Sequence, residues 1–357
     1  MPPPGLALTL EIAQVGQIGQ VLSAFWRGSV GTEYAILSAT LVRATPLIFT
    51  GLAVALAFRA GVLNIGAEGQ FLAGATGAAI IGALVAPWSA SRQTFVGVPI
   101  ALVTGGVFGA GWAGIAAWLK RRFGVLEVIS TIMLNFVALE AVGYLVRGPL
   151  QEPLGIYPQT PTLPPSLHLP VLIPGTRLHF GFAIAVFAAV ASWWALRTTA
   201  WGFRLRVAGA SPSAAASAGQ IDVARVTTRA FLLSGALAGL AGAVEVTGVA
   251  FALYENISPG YGYTAIAVAL LANLDPLAVV ASGILFGALE AGAGAMQRDA
   301  GVPSVVVSVV EAAIVLVILG AQALRAKQRR PGSISAWRTI IRRKAGTKAG
   351  TVLGASR

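Results

Sequence analysis

The chain has 357 residues, is 56% hydrophobic and only 11% charged, against about a quarter charged in soluble domains, which excludes an ordinary soluble domain. Cys is absent and His occurs only as His168 and His179, so disulfides and thiolate metal sites are excluded and histidine-based metal chemistry is not expected. In so apolar a chain the net charge of +12 reads as a topology signal, with no nucleic-acid partner expected.

The apolar runs are near the length of a helical span, unlike the short alternating segments of a barrel. The expected fold is therefore all-α: a polytopic helical membrane protein of about ten transmembrane helices. The first run, near 5–25, is weak, because Glu11, Gln14, Gln17 and Gln20 interrupt it. The start, MPPPGLALTLEIAQ, lacks the basic region of a secretory leader. Stronger runs follow near 34–58, 62–86, 95–119, 123–147, 179–196, 229–251, 261–274, 276–295 and 303–324.

Alternating these spans places Arg59, the Lys120-Arg121-Arg122 cluster, Arg197, Arg204, Arg206, Arg225, Arg229 and the basic tail on one side. Arg27, Arg92, Arg147, Arg177 and Arg298 fall opposite, and Arg43 lies within a span. The positive-inside rule makes the richer side cytoplasmic, with both termini inside. A transmembrane domain over 1–324 and a basic cytoplasmic tail over 325–357 follow, the tail resting on anionic membrane lipid. The loop 148–178 is exterior, and its prolines forbid a regular helix. Four spans over 34–147 start outside and four over 229–324 start inside, so an inverted repeat of two helix blocks is expected on topology alone.

Four stretches carry polar groups into apolar surroundings. In GVLNIGAEGQ (61–70), Asn64 and Glu68 are spaced i,i+4, and Gln70 closes the stretch. Intramembrane ionisable groups face the bundle interior and mark pathways; two readings stand, a structural hydrogen-bond hub and direct solute contact. In EVISTIMLN (127–135), Thr131 and Asn135 share a face continued from Glu127. They either knit helices together or bond a polar solute.

The third stretch is RLRVAGASPSAAASAGQIDVARVTTR (204–229). Ser211 is an N-cap and Pro212 occupies the first helical position; Ser213, Ala214, Ala215 and Ala216 follow, and Gly219 closes a helix of about two turns. So short a helix is not stable alone in water and is expected to dock on something; two readings stand, a partner-docking helix, which is preferred, and a plain connecting loop. The fourth is LSGALAGLAGAVEV (233–246) with SPGYGYTAIAVALLANLDPLAV (258–279). Gly235, Gly239 and Gly242 make a close-packing face, and Glu245 lies in the same run. Tyr261 and Tyr263 follow a glycine-marked helix start, and Asp275-Pro276 is a turn. Tyrosines so placed either stack on a solute ring or are ordinary interface aromatics.

Catalytic signatures are lacking. There is no G-x-x-x-x-G-K-[ST] and no H-E-x-x-H. Two loop histidines give no credible Ser-His-Asp set, and the single GYG at 260–262 lacks the context of a channel filter. An enzyme is not expected.

Taken in series, GVLNIGAEGQ, EVISTIMLN with YLVRGPL, RVAGASPSAAASAG, SGALAGLAGAVEV and PGYGYTAIAVALL resemble the permease subunits of bacterial nucleoside and simple-sugar ABC importers, a group that includes ribose-type and branched-chain amino acid permeases. The resemblance covers most of residues 30–322, and NIGAEGQ is more similar to the nucleoside branch than to the ribose branch. It implies an inner-membrane permease that moves a nucleoside inward by alternating access. It implies as partners an ATP-binding subunit, a second permease chain that is a distinct paralogue, and an extracytoplasmic solute-binding lipoprotein. No cofactor is then bound by this chain, since ATP sits on the partner. The segment Ser211–Gly219 is implied to be the coupling helix, and Asn64, Glu68, Gln70, Thr131, Asn135, Glu245, Tyr261 and Tyr263 to line or support the solute path. The same machine for a pentose or hexose is the first alternative. An ion-coupled secondary transporter using Glu68, Glu245 or Glu290 is the alternative of another class.

Overall fold

In the computed structural model the described residues are 19–217, 221–303, 309, 312–313, 316–317 and 320–321. The chain divides into two compact units, Met1–Val309 and Val310–Arg357; the few described residues of the second are helical. Most of the runs near 5–25 and 303–324, the tail and Gly219 lie outside the described residues.

The first unit is a bundle of helices joined by turns and irregular loops, with no strand beyond isolated bridges among the described residues. We number the helices α1 (19–29), α2 (Glu33–Arg59), α3 (Ala67–Val85), α4 (Ala90–Phe123), α5 (Glu127–Arg147), α6 (Gly181–Thr198), α7 (Ala200–Ala210), α8 (Pro212–Ser217), α9 (Val223–Ala250), α10 (Tyr261–Leu271) and α11 (Pro276–Ala300). Among the described residues 7 of these, α2 to α6, α9 and α11, are long and apolar enough to cross a membrane.

Two expected spans are shorter than their apolar runs. The run near 62–86 becomes helical only at Ala67, because Gly61 takes a φ of 76° and the chain stays irregular through Gly66. The run near 261–274 yields an 11-residue helix. At about 1.5 Å per residue it reaches about half of a roughly 30 Å hydrocarbon core. Asn273 and Leu274, with φ of 48° and 61°, end it before Asp275. Elsewhere the ends follow local chemistry. Thr199 caps α7 by accepting from Gly202 N at 3.1 Å, and Asp222 caps α9 by accepting from Arg225 N at 2.9 Å. Gly124 and Gly301 close α4 and α11 in the left-handed region, where glycine carries no Cβ penalty.

The centre of the bundle is a seam of small residues on α3, α4 and α9. A Cβ on Gly74 would overlap the Gly239 backbone, and one on Gly109 would overlap the Gly235 carbonyl. Without a hydrophobic drive between helices in lipid, such backbone-to-backbone approach is what holds them.

One end of the bundle gathers the cationic turns. Asp275 accepts from Leu277 N and Ala278 N through Oδ1, while its Oδ2 faces Arg59 at 3.7 Å and Arg197 at 3.5 Å. The ends of α2 and α6 therefore meet the start of α11. Lys120 and Glu127 pair at 2.8 Å across the α4–α5 turn.

The opposite end carries the loop 148–178, in which only Pro165–Leu167 forms a helical (3₁₀) turn. It lies on the irregular segment 251–260, with Thr160 N donating to Leu253 O at 2.8 Å and Leu163 N to Phe251 O at 2.7 Å. The loop thus supplies partners to backbone that no helix satisfies. Phe251 sits at a φ of 56°, and the His168 ring stacks on it at 3.7 Å.

Candidate functional site

The irregular start of GVLNIGAEGQ is held by a closed knot of amides. Asn64 is 0% exposed. Its Nδ2 donates to Gln70 Oε1 at 2.9 Å and to Ser234 Oγ at 2.8 Å. Its Oδ1 accepts from Gly66 N at 2.9 Å and from Gln70 Nε2 at 3.1 Å. Ser234 in turn donates to Ala53 O at 2.6 Å, so the knot ties α2, α3 and α9. Asn135 braces the same segment from α5, accepting from Gly69 N at 2.8 Å and donating to Ile65 O at 2.9 Å and to the Tyr263 hydroxyl at 3.3 Å. Thr131 turns back on its own helix and donates to Glu127 O at 2.7 Å.

Glu68 is buried and reaches another helix. Its Oε2 accepts from Gly262 N at 2.7 Å, while Ser258 Oγ accepts from Gly260 N and Tyr261 N, both at 3.1 Å. The free N–H groups opening α10 are thus shared between a local serine and a carboxylate 194 residues away. Glu68 also lies in the first turn of α3, so two helix N-termini face one negative charge.

Tyr261, fixed by that cap, forms part of the wall of a cavity of about 510 Å³. Tyr34, Arg43, Arg177, Glu245, Tyr254, Asn256 and Arg298 also line it. The cavity lies at the end of the bundle that carries the loop 148–178, to which Arg177 belongs. Glu245, on α9, is 6% exposed, and no protein donor reaches its carboxylate among the described residues. The guanidiniums of Arg43 and Arg177 act on it electrostatically. Burial, and second the Glu245 charge, push the Tyr254 hydroxyl above its ordinary range. Two residues after Arg177, His179 is 1% exposed. Burial first, and the Arg177 charge second, push it down to about 4. Its Nδ1 accepts from Gly181 N at 3.2 Å.

At the cationic end, Ser211 Oγ accepts from Ala214 N at 3.4 Å and opens α8. Ala215 is buried, whereas Pro212, Ser213, Ala214 and Ala216 are exposed. The preceding α7 touches the rest of the bundle at Gly209, where a Cβ would overlap Arg59 O. That contact lies on the turn leading into Asn64.

The structure therefore sorts the residues singled out in the sequence into three places. Asn64, Gln70, Asn135 and Tyr263 belong to the brace, Glu68 to the cap of α10, and Glu245 and Tyr261 to the cavity, while the Thr131 hydroxyl bonds only within its own helix. Sequence reasoning passed over Arg43, Arg177 and Arg298 as cavity groups, and over Ser258 and Ser234 as the partners that complete the cap and the knot. Arg43 alone left a signal, as an arginine inside an apolar span.

The family model described as branched-chain amino acid transport system permease component matches residues 36–322. The chain belongs to this family. As a permease component with several membrane-crossing helices it is a multi-pass membrane protein. Among curated relatives, the guanosine ABC transporter permease protein NupP of Bacillus subtilis is 38% identical over 85% of this chain and 86% of its own length. The glucose ABC transporter permease protein TsgB13 of Haloferax volcanii is also 38% identical, over 79% of this chain and 76% of its own. The nucleoside ABC transporter permease protein NupB of Lactococcus lactis is 32% identical over 78% of each. No solved structure matches the permease chain.

Proposed function

We propose that this chain is the transmembrane permease subunit of an ATP-driven importer that moves nucleosides inward by alternating access, with ATP hydrolysed on a partner subunit. The observation that carries the reading is the 38% identity to a guanosine permease along 85% of the chain. The cavity of about 510 Å³, with tyrosines, arginines and one open carboxylate, suits a ringed polar solute. The partners are an ATP-binding subunit, a second permease chain that is a paralogue of this one, and an extracytoplasmic solute-binding lipoprotein. The protein resides in the inner membrane with both termini cytoplasmic. Counting the runs near 5–25 and 303–324, the permease domain over 1–324 has about ten helices in two inverted blocks, and 325–357 is a cytoplasmic tail on anionic lipid.

On this reading α8 is the coupling helix: its exposed face is small and uncharged, ready to seat in a groove of the ATPase. Movement there passes through the Gly209–Arg59 contact to the Asn64 knot, then through Glu68 to α10 and Tyr261. Glu245 and Tyr261 meet the solute, and the other polar residues hold the shape of the path. A sugar is the second reading, favoured by the equal identity to a glucose permease. The two separate in a competition assay. The chain is reconstituted with its ATPase, second permease and binding protein, with ATP inside. Unlabelled nucleosides should abolish uptake of [3H]guanosine, and glucose or ribose should not. Glucose uptake that nucleosides fail to compete would replace the nucleoside by a sugar.

A further inference from the structure

The buried polar side chains near the start of α3 each have a protein hydrogen-bond partner. Asn64, Glu68, Gln70 and Asn135 all have theirs at 2.7 to 3.3 Å. Glu245 differs. It is 6% exposed, faces a cavity of about 510 Å³, and takes no hydrogen bond from the described protein. A carboxylate withdrawn from water without donors is costly, and its position on a void assigns the missing donors to whatever fills that void.

The chemistry of the wall narrows the occupant. A carboxylate is acceptor-only, with two oxygens side by side. It is best met by two parallel N–H donors, as a guanidinium meets it. Tyr254 and Tyr261 bring aromatic side chains to the same cavity, and Arg43 and Arg177 bring donors suited to ring carbonyls or hydroxyls. Among nucleosides, the guanine edge presents an N1–H beside an exocyclic amine, which is the paired-donor pattern. Inosine keeps only the N1–H. Adenosine turns an acceptor nitrogen toward the carboxylate.

We propose that Glu245 is the specificity-determining residue of the solute site and that it reads the paired N–H donors of a guanine-type base. The inference rests on the nucleoside reading above and adds the base and the residue that selects it. In Glu245→Gln one acceptor becomes a donor. The amide then matches the acceptor-plus-amine edge of adenine, as carboxamides do when they read adenine in nucleic acids.

The test uses the complete importer in proteoliposomes with internal ATP and one solute-binding protein throughout, so that its own preference cancels. Initial uptake of [3H]guanosine, [3H]inosine and [3H]adenosine is compared in wild type and Glu245→Gln. Wild type should rank guanosine above inosine above adenosine. The variant should lower the guanosine-to-adenosine ratio by about 10- to 100-fold, the scale of one bidentate base contact. Glu245→Asp, which keeps the carboxylate, should keep the order at reduced rate. A Gln variant that slows all three nucleosides equally, or leaves the ratio unchanged, overturns the assignment. Should that variant fail to assemble, a Glu245→Asp variant that reverses the wild-type order overturns it alone. Wild type that imports glucose and no nucleoside overturns the underlying nucleoside reading instead, and the base selection with it.

Discussion

Replacing Glu68 by Gln separates a structural carboxylate from a solute-binding one. Glutamine is nearly isosteric, and its amide oxygen can still accept from Gly262 N, now 2.7 Å from Glu68 Oε2. What disappears is the charge at the start of both α3 and α10. Charge-assisted hydrogen bonds are about twice as strong as neutral ones, and a partly buried charge at a helix terminus contributes up to about 2 kcal/mol. Burying that same charge is costly and offsets most of the gain, so Glu68→Gln should destabilise the bundle by about 1 kcal/mol or less. Glu68→Ala also leaves the buried Gly262 N–H without an acceptor, a further loss of about 1–3 kcal/mol. Thermal unfolding in detergent should rank wild type above Gln above Ala. Because Glu68 lies behind α10 and does not line the cavity, the KM for nucleoside uptake in the Gln variant should stay within about twofold, a shift of under 0.5 kcal/mol. A Gln variant as stable as wild type with a KM raised tenfold would refute the capping role and place Glu68 on the solute.

Three further predictions probe other parts of the fold. Gly239→Val should abolish accumulation of folded protein, read by size-exclusion profile, because even a Cβ there overlaps the Gly109 and Gly105 backbone; Ala at the exposed Gly111, where a Cβ meets nothing within 4 Å, should be silent. Charging the exposed face of α8 with Ala214→Glu and Ala216→Glu should leave thermal stability within about 0.5 kcal/mol and reduce solute-stimulated ATP hydrolysis by the assembled complex; unchanged hydrolysis would remove α8 from the coupling interface. His179 is held down to about 4 against about 6.5 when unfolded. Its unfolded form therefore binds a proton first as pH falls, and stability is lost between about pH 6.5 and pH 4, by about 3 kcal/mol at most. His179→Asn keeps an acceptor for Gly181 N without titrating. The stability gap between wild type and this variant should shift in favour of the variant as pH drops across that window, and a pH-independent gap would contradict it.

Much of the architecture was legible in the sequence because its causes are local. Apolar length placed α2, α4, α5, α6 and α11 close to their expected positions. The small-residue spacing of Gly235, Gly239 and Gly242 marked the face of α9 that meets α3 and α4. Ser211 and Pro212 marked the start of α8 through ordinary capping chemistry. The shortness of α10 was partly legible: its apolar run, near 261–274, is already too short to span, and Asn273, Asp275 and Pro276 interrupt it. What the sequence did not show is that Asn273 and Leu274 turn left-handed and end the helix at Leu271. Nor could the roles of the polar residues be sorted. Asn64 meets Ser234 across 170 residues and Glu68 meets Gly262 across 194. Whether a buried amide is already satisfied is therefore a property of the packed bundle. The cavity assembles Arg43, Arg177, Glu245 and Arg298 from four separate parts of the chain, so no window of sequence contains it.

The central claim is that solute moves through this subunit at the expense of ATP hydrolysed on another chain. It is tested most directly by the energy source for uptake. Proteoliposomes holding the complete importer are loaded with ATP, with a non-hydrolysable analogue, or with neither under an imposed proton gradient. The initial rate of [3H]guanosine entry is then measured in the presence of the solute-binding protein. The account predicts entry only with hydrolysable ATP, and loss of that entry on disruption of the α8 face. Entry that ignores ATP and follows the proton gradient would contradict it, and would make the buried carboxylate of Glu245 a coupling site in place of a solute reader.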